Sequence, residues 1–108
     1  MDEELIKKYD GYDLYVVVKK DGTVYTVRRS SASPDELKTI LAKAKPSVET
    51  DDSLLSFDTY FVLLVSLSSN SVIIKGVDIK QDVLKAIYLL NKMRSALSKP
   101  DSVKEYVI

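Results

Sequence analysis

The side chains that most often carry out chemistry in enzymes are scarce in this sequence. It contains no Cys and no His, which excludes thiol nucleophiles, Ser-His-Asp triads, imidazole bases and the usual zinc sites. Its many Ser residues lie mainly in predicted turns and helix ends, where hydroxyls cap backbone groups. A nucleophilic Ser would need Lys or another uncommon base, because no His is available. We therefore expect no catalytic residue and a non-enzymatic protein.

One acidic cluster has the residue types that could bind a hard cation. Asp51 and Asp52 are adjacent, with Glu49 and Asp58 nearby, and Mg²⁺ sites often use one or two carboxylates. The spacing matches no calcium-binding loop, and a polar connecting loop explains the same residues. We expect no metal site here, and no residue pattern indicates a cofactor.

Two pairs of basic residues, Lys19-Lys20 and Arg28-Arg29, suggest a cationic patch in the linear sequence. The predicted hairpin separates the pairs by roughly 16 Å, which is about five strand residues. Acidic residues nearby offset both pairs, and the whole chain has 16 basic and 16 acidic residues with a net charge of zero. Nucleic-acid binding normally needs clustered cations, so this arrangement disfavours it.

The composition is that of one globular domain. The chain has 108 residues, of which 45% are hydrophobic and 30% charged. We expect a single domain over 1–108, with a core at about 2–98 and a C-terminal tail, 99–108, that the pattern does not place.

The most apolar stretch, Tyr60 to Leu67, is far shorter than the ~20 residues of a membrane-spanning helix. We expect no membrane span and a cytoplasmic protein.

The clearest structural signal is a β-hairpin. Tyr12 to Lys20 and Thr23 to Arg29 are rich in β-forming residues, and Asp21-Gly22 between them is typical of a two-residue hairpin turn. That turn places Val18 opposite Tyr25. One face would then carry Leu14, Val16, Val18, Tyr25 and Val27, and the other would carry Tyr15, Val17, Val24, Thr26 and Arg28.

Three more strands are predicted in the second half, at Ser53–Phe57, Tyr60–Ser68 and Ser71–Val77. The turn Ser69-Asn70 places Val65 opposite Ile74. The first of these strands is short and suits a sheet edge. The polar segment before it, Ser47 to Asp52, is predicted to be a loop.

Helices are predicted at the start, middle and end of the chain. The first covers Asp2 to Tyr9 and ends at Asp10-Gly11. The second begins at Pro34, after the capping residue Ser33, and ends at Lys45 before Pro46. Its apolar stripe consists of Leu37, Ile40, Leu41 and Ala44.

The last helix is predicted over Asp78 to Ser98, and it is unusually apolar. Its core stripe is predicted to be Ile79, Val83, Ile87, Leu90, Met93 and Leu97. Leu84, Tyr88 and Leu89 widen this stripe beyond the ~100° that a surface helix usually buries. Such a helix contacts more than one neighbour, either the first helix or another molecule.

These elements predict an α+β fold in the order α-β-β-α-β-β-β-α. Both faces of the five-stranded antiparallel sheet need helical cover because both carry apolar residues. The middle helix is expected on one face and the two terminal helices on the other.

The order of elements resembles the roadblock/dynein light chain family, whose fold is similar in general shape to longin and profilin-like folds. The resemblance runs from Leu5 to about Leu97. It rests on the helix leading into Gly11, the strand Leu14 to Val18 followed by Lys20-Asp21-Gly22-Thr23-Val24, the amphipathic helix Pro34 to Lys45, and the final helix. The middle helix is shorter here than is usual in that family.

The resemblance implies a dimeric adaptor that binds a Ras-like small GTPase and has no enzymatic activity. The implied dimer interface uses the middle helix and the edge strand, namely Leu37, Ile40, Leu41, Ala44, Ser53, Leu54, Leu55, Ser56 and Phe57. The implied partner surface is cationic and contains Lys38, Lys43 and Lys45. An alternative remains open: a small binding protein of a virus or mobile element that acts as a regulator or inhibitor, with nucleic-acid association as one form of that alternative.

Overall fold

The computed structural model describes residues 3–79, 83–98 and 104–108. The chain forms an α+β fold around one mixed sheet. Its helices and strands are α1 (Glu3–Lys8), β1 (Leu14–Lys19), β2 (Val24–Arg28), α2 (Pro34–Lys43), β3 (Ser47–Thr50), a 3-10 helix (Asp52–Phe57), β4 (Thr59–Ser66), β5 (Ser71–Gly76), α3 (Val83–Ser98) and β6 (Lys104–Val107).

Over the residues that the structure describes, the sheet has six strands in the order β3-β5-β4-β1-β2-β6. The four inner strands are antiparallel, as predicted, whereas both edge strands are parallel to their neighbours: β3 to β5 and β6 to β2. The prediction of five antiparallel strands is therefore wrong at the edges. In chain order α2 lies between β2 and β3, and α3 lies between β5 and β6, so each helix lies between strands that are not neighbours in the sheet.

The first hairpin forms, but its register differs by one residue from the prediction. Val18 pairs with Val24 and Val17 with Tyr25. The Gly22 N–H donates to the Lys19 carbonyl at 3.0 Å, and the Asp21 carboxylate accepts from the Thr23 N–H at 2.9 Å. The Lys19 N–H donates to the Thr23 carbonyl at 2.8 Å, so the loop has three residues, Lys20 to Gly22, instead of two. Gly22 has a φ of 89°, which Gly adopts without steric strain.

This slip reverses the faces of β2, because successive side chains point to opposite sides of a strand. Tyr25 and Val27 pack with Tyr15 and Val17, whereas Val24 packs with Leu14, Val16 and Val18. The prediction placed Tyr25 and Val27 on the opposite face.

The β4–β5 connection also differs, but without changing the faces. Ser66 pairs with Ser71 and Val65 with Val72, so the loop has four residues, Leu67 to Asn70. The predicted pairing of Val65 with Ile74 was displaced by two residues. A displacement of two residues keeps each side chain on its face, and Val65 and Ile74 do share one core cluster.

The segment between α2 and β4 was predicted with its strand and loop exchanged. Ser47–Thr50, the predicted loop, is edge strand β3, and Ser53–Phe57, the predicted edge strand, lies in the 3-10 helix. Asp51 caps this helix through a hydrogen bond from the Ser53 N–H, at 3.1 Å. A capped helical turn satisfies these backbone groups locally, so they do not pair with a strand.

The helices cover both faces, in a different distribution from the prediction. Leu37, Ile40 and Leu41 of α2 lie in the same cluster as Leu90 of α3. Leu5 of α1 lies in the opposite cluster, which also contains Leu54 of the 3-10 helix. The middle and last helices therefore share one face, and the first helix lies on the other.

The ends of two helices agree with the signals in the sequence. Ser33 caps α2 and accepts a hydrogen bond from the Glu36 N–H. Gly11 follows α1 with a φ of 100°, a conformation that Gly adopts without steric strain. Of the last helix, predicted over Asp78 to Ser98, the structure describes Val83–Ser98 as helix, and residues 80–82 lie outside the described residues. No helix in the described ranges is long and apolar enough to cross a membrane.

Candidate interaction surface

The outward face of α3 carries three large apolar side chains that the rest of the described chain leaves uncovered. Leu84 is 79% exposed, Ile87 51% and Tyr88 63%. They are neighbours on one side of the helix, and an exposed apolar patch on a protein surface is often functional. We refer to Leu84, Ile87 and Tyr88 as the α3 face.

The opposite side of α3 attaches the helix to its own chain. Leu90 is buried in the core that α2 covers. The Arg94 guanidinium donates two hydrogen bonds to the Leu41 carbonyl near the end of α2, that from Nε measuring 2.9 Å. Arg94 thus satisfies a carbonyl that the end of α2 leaves without a helical partner.

The predicted core stripe of the last helix is correct only in part. Ile79 and Leu90 are buried, but Ile87 is not. The side chains of Val83, Met93 and Leu97 lie outside the described part of the chain. Leu84 and Tyr88, which widened the stripe in the prediction, face solvent. The excess apolarity was therefore the sequence signal for the α3 face.

A groove of about 560 Å³ lies on the side of α2 next to the β4–β5 loop. Ile40, Ala44 and Leu67 give it an apolar floor, with carboxylates at one end of α2 and Lys43 at the other. We call it the α2 groove. Its lining residues are Asp35, Glu36, Thr39, Ile40, Lys43, Ala44, Leu67 and Asn70.

The structure separates the residues predicted for a dimer interface. Leu37, Ile40 and Leu41 are buried in the core of the chain itself, and Ala44 is half-buried in the α2 groove. In the 3-10 helix, Leu54 is fully buried, Phe57 is half-buried, and Ser53, Leu55 and Ser56 are exposed. These two groups lie on opposite faces of the sheet. They do not form one continuous surface within a single copy.

The three Lys residues predicted for a partner surface remain close together. Lys38 and Lys43 are exposed on α2, and Lys45 is exposed just after it. Lys43 also lines the α2 groove.

A polar cluster joins α1 to the end of β3. The Tyr9 hydroxyl donates to the Asp51 carboxylate at 2.7 Å, and Lys8 Nζ lies 3.5 Å from the same oxygen. The ammonium groups of Lys8 and Lys75 lie 5.5 and 5.3 Å from the centre of the Tyr9 ring, and Lys75 also pairs with Glu49 at 3.2 Å. These contacts are internal to the cluster.

The protonation states of this cluster do not favour acid–base chemistry at neutral pH. Burial, with the hydrogen bond to Asp51, raises the pKa of Tyr9 well above its usual value. Burial also raises the pKa of Asp51, but hydrogen bonds from Ser53 and Tyr9 and the nearby Lys8 outweigh it and lower that pKa to about 2. Tyr9 thus remains protonated and Asp51 remains charged, which suits a structural contact.

The structure also shows the surroundings of the predicted acidic cluster and of Arg28 and Arg29. Among the described residues, no group of three or more acidic side chains is arranged to hold a metal ion. The Arg28 guanidinium donates to the Ala32 carbonyl at 2.9 Å, and Arg29 pairs with Asp10 at 3.0 Å. Arg28 lies opposite Leu14, one residue from its predicted position opposite Tyr15.

Comparison of this chain with protein-family models, with curated proteins and with solved structures gives no match. The resemblance to the roadblock/dynein light chain family therefore stays a prediction from the sequence.

Proposed function

We propose that this protein is a non-enzymatic binding domain that forms a homodimer through the α3 face. The observation that supports this proposal best is the exposure of Leu84, Ile87 and Tyr88 within two turns of one helix. Burial of apolar surface is the main favourable term in protein association, at about 25 cal/mol per Å². Three such side chains next to one another on one helix form a contiguous apolar patch, and such patches are often interaction sites.

Replacing Leu84 with Asp tests the proposal directly. Leu84 is 79% exposed, so the charge meets solvent in one copy but meets an apolar interface in a dimer. We expect the full chain to measure about 24 kDa by light scattering, twice its 12.1 kDa mass. We expect Leu84→Asp to measure about 12 kDa, with an unchanged circular dichroism spectrum.

Leu55→Asp is the matched control. Leu55 is 44% exposed on the 3-10 helix, on the other face of the sheet, so the same substitution there should leave the dimer intact. A wild-type chain that stays at 12 kDa at 100 µM would contradict the proposal. So would a Leu84→Asp variant that still dimerises.

A Ras-like small GTPase is the partner class that we propose for the dimer. Its support is the sequence resemblance, together with the exposed cations Lys38, Lys43 and Lys45 around the end of α2. Binding of purified Ras-like GTPases, loaded with GDP or with a non-hydrolysable GTP analogue, tests this by surface plasmon resonance. We expect Lys38→Glu with Lys45→Glu to weaken binding at least fivefold. Absence of binding in both nucleotide states would contradict it.

A further inference from the structure

The α2 groove has opposite charges at its two ends. Asp35 and Glu36 lie in the first turn of α2, Lys43 lies in its last turn, and all three line the groove and are exposed. Within the part of the chain that the structure describes, none of these three side chains forms an ion pair. The helix rises by roughly 10 Å from Glu36 to Lys43, at about 1.5 Å per residue. The groove therefore offers carboxylates at one end and an ammonium group at the other.

The floor of the groove is apolar. Ala44 and Leu67 are half-buried and pack against the core cluster that contains Ile40. Ile40 itself is only 6% exposed, so it closes the floor from below, while Ala44 and Leu67 keep part of their surface in the groove. Covering such a surface with an aliphatic side chain is favourable, because it removes apolar area from water.

Asn70 adds a side-chain amide from the β4–β5 loop. Its backbone N–H donates to the Leu67 carbonyl at 3.2 Å, and its φ of 50° is a left-handed conformation that Asn tolerates. The side-chain amide has no hydrogen-bond partner among the described residues. An amide group both donates and accepts, so it matches the N–H and C=O groups of a peptide backbone.

The combination of these groups narrows the class of ligand. Carboxylates at one end disfavour phosphate, and therefore nucleic acid and anionic lipid. A purely apolar ligand would leave the charges at both ends without partners. The volume of about 560 Å³ lies within the roughly 300–1,000 Å³ of ligand sites. A peptide provides both charges, an apolar side chain and backbone hydrogen bonds in one molecule.

We infer that the α2 groove binds a short extended segment of another protein in which a basic, an aliphatic and an acidic residue occupy alternate positions. Alternate side chains of an extended segment share one face, and the first and fifth residues lie roughly 13 Å apart. The basic residue then pairs with Asp35 and Glu36, the acidic residue pairs with Lys43, and the aliphatic residue covers the floor. This site is independent of the proposed dimer and of the proposed GTPase.

NMR titration of the isotope-labelled full chain with the peptide acetyl-Arg-Ser-Leu-Ser-Glu-amide tests the inference. We expect saturable shifts of the backbone amide signals of residues 39–44 and 67–70, with a dissociation constant of about 0.1–1 mM. The amide signals of the 3-10 helix, Asp52–Phe57, should stay unchanged because this helix lies on the other face of the sheet.

Two control peptides separate the apolar contribution from the charged one. Replacing the central Leu of the peptide with Ser removes the side chain that covers the floor. Replacing its Arg with Glu places a carboxylate beside Asp35 and Glu36. We expect each change to weaken binding at least fivefold.

Variants of the protein test the same contacts from the other side. Glu36→Lys should weaken binding of the first peptide at least fivefold, because it places like charges together. Ala44→Leu should abolish binding, because the larger side chain occupies the groove. Lys38→Glu is the matched control, since Lys38 is exposed on α2 outside the groove, and it should bind within twofold of wild type.

The outcomes separate this inference from the proposed function. Absence of shifts at about 5 mM peptide, or shifts confined to residues outside the groove, would show that the groove binds no such segment. Equal binding of the Leu and Ser peptides, or equal binding by wild type and Glu36→Lys, would also overturn it. A monomeric wild-type chain that binds the peptide would support this inference and contradict the proposed dimer.

Discussion

Asp51 lies where α1, the end of β3 and the start of the 3-10 helix meet. It accepts hydrogen bonds from Tyr9 and from both the backbone and the hydroxyl of Ser53, and it pairs with Lys8. One carboxylate thus connects segments that are distant in sequence. Tyr15 extends the connection, because its hydroxyl donates to the Tyr9 carbonyl at 2.6 Å. The cluster fixes α1, which is too short to be stable alone.

The Asp51 contacts make the stability of the protein depend on pH in the acid range. The folded state lowers the pKa of Asp51 to about 2, below the roughly 3.9 of an unfolded chain. The resulting stabilisation is therefore fully present above about pH 4 and is lost as the pH falls toward 2. We expect it to be about 1 kcal/mol, because water reaches part of the group and screens it.

Asp51→Asn removes this dependence. We expect the variant to lose about 1 kcal/mol of unfolding free energy at pH 7 in urea titrations, and to show a flatter decline in stability between pH 4 and pH 2. Asp52→Asn is the control, since Asp52 is exposed on the same helix. Equal pH profiles for wild type and Asp51→Asn would show that the cluster does not stabilise the fold.

At the scale of elements, α2 buries an apolar stripe in the core of its own chain and leaves charged residues exposed on its other side. Ile40 is only 6% exposed, in a cluster with the sheet residues Val16, Leu63 and Ile74. Its neighbour Lys38 is exposed. Substitutions at Ile40 and at Lys38 should therefore lower the free energy of unfolding by very different amounts.

Ile40→Asp should destabilise the protein by about 4 kcal/mol or more, because it buries an unpaired carboxylate and removes core contacts. Thermal denaturation should show a melting temperature at least 15 °C lower, or no folded protein. Lys38→Asp should change the unfolding free energy by no more than about 0.5 kcal/mol. Similar melting temperatures for the two variants would mean that the stripe of α2 is not in the core.

The sequence was most informative where the signal was local. Ser33 and Pro34 marked the start of α2, and Asp21-Gly22 marked the first turn correctly. The register prediction was wrong because Asp-Gly suits both a two-residue and a three-residue loop. In the three-residue loop that forms, the Thr23 N–H donates to the Asp21 carboxylate.

Elements stabilised by distant partners could not be predicted in the same way. Ser47–Thr50 has a polar sequence, and it is a strand because β5 offers an unpaired edge. The sequence showed that the last helix carries more apolar residues than one buried stripe needs. It did not show that Leu84, Ile87 and Tyr88 are the ones exposed to solvent. The α2 groove forms only where Leu67 and Asn70 meet α2, and no spacing along the chain indicates that.

At the scale of the whole molecule, strand β6 forms one edge of the sheet and covers the outer side of β2. Tyr106 packs edge-to-face on Tyr25, with the ring centres 5.9 Å apart. The Ile108 N–H donates to the Arg28 carbonyl at 2.8 Å, and the Ile108 carbonyl accepts from the Ser30 N–H. β6 therefore contributes both backbone and aromatic contacts to β2.

Tyr106→Ala should release β6 from the sheet, because an edge-to-face pair contributes about 0.5–1.5 kcal/mol beyond the area it buries. We expect the Ser30 amide to exchange with deuterium at least tenfold faster, while the Gly22 amide in the first hairpin stays unchanged. Val107→Ala is the matched variant, since Val107 is 53% exposed. Unaltered exchange at Ser30 would show that Tyr106 does not hold β6.

The late position of β6 in the chain has a consequence for synthesis on the ribosome. β1 and β2 can pair soon after they emerge, but the outer edge of β2 has to wait for residues 104–107. At about 5–20 residues per second, the intervening ~80 residues take roughly 4–16 s to translate. Throughout that interval each nascent chain displays an open strand edge, so chains on neighbouring ribosomes of one messenger RNA compete with β6 for it.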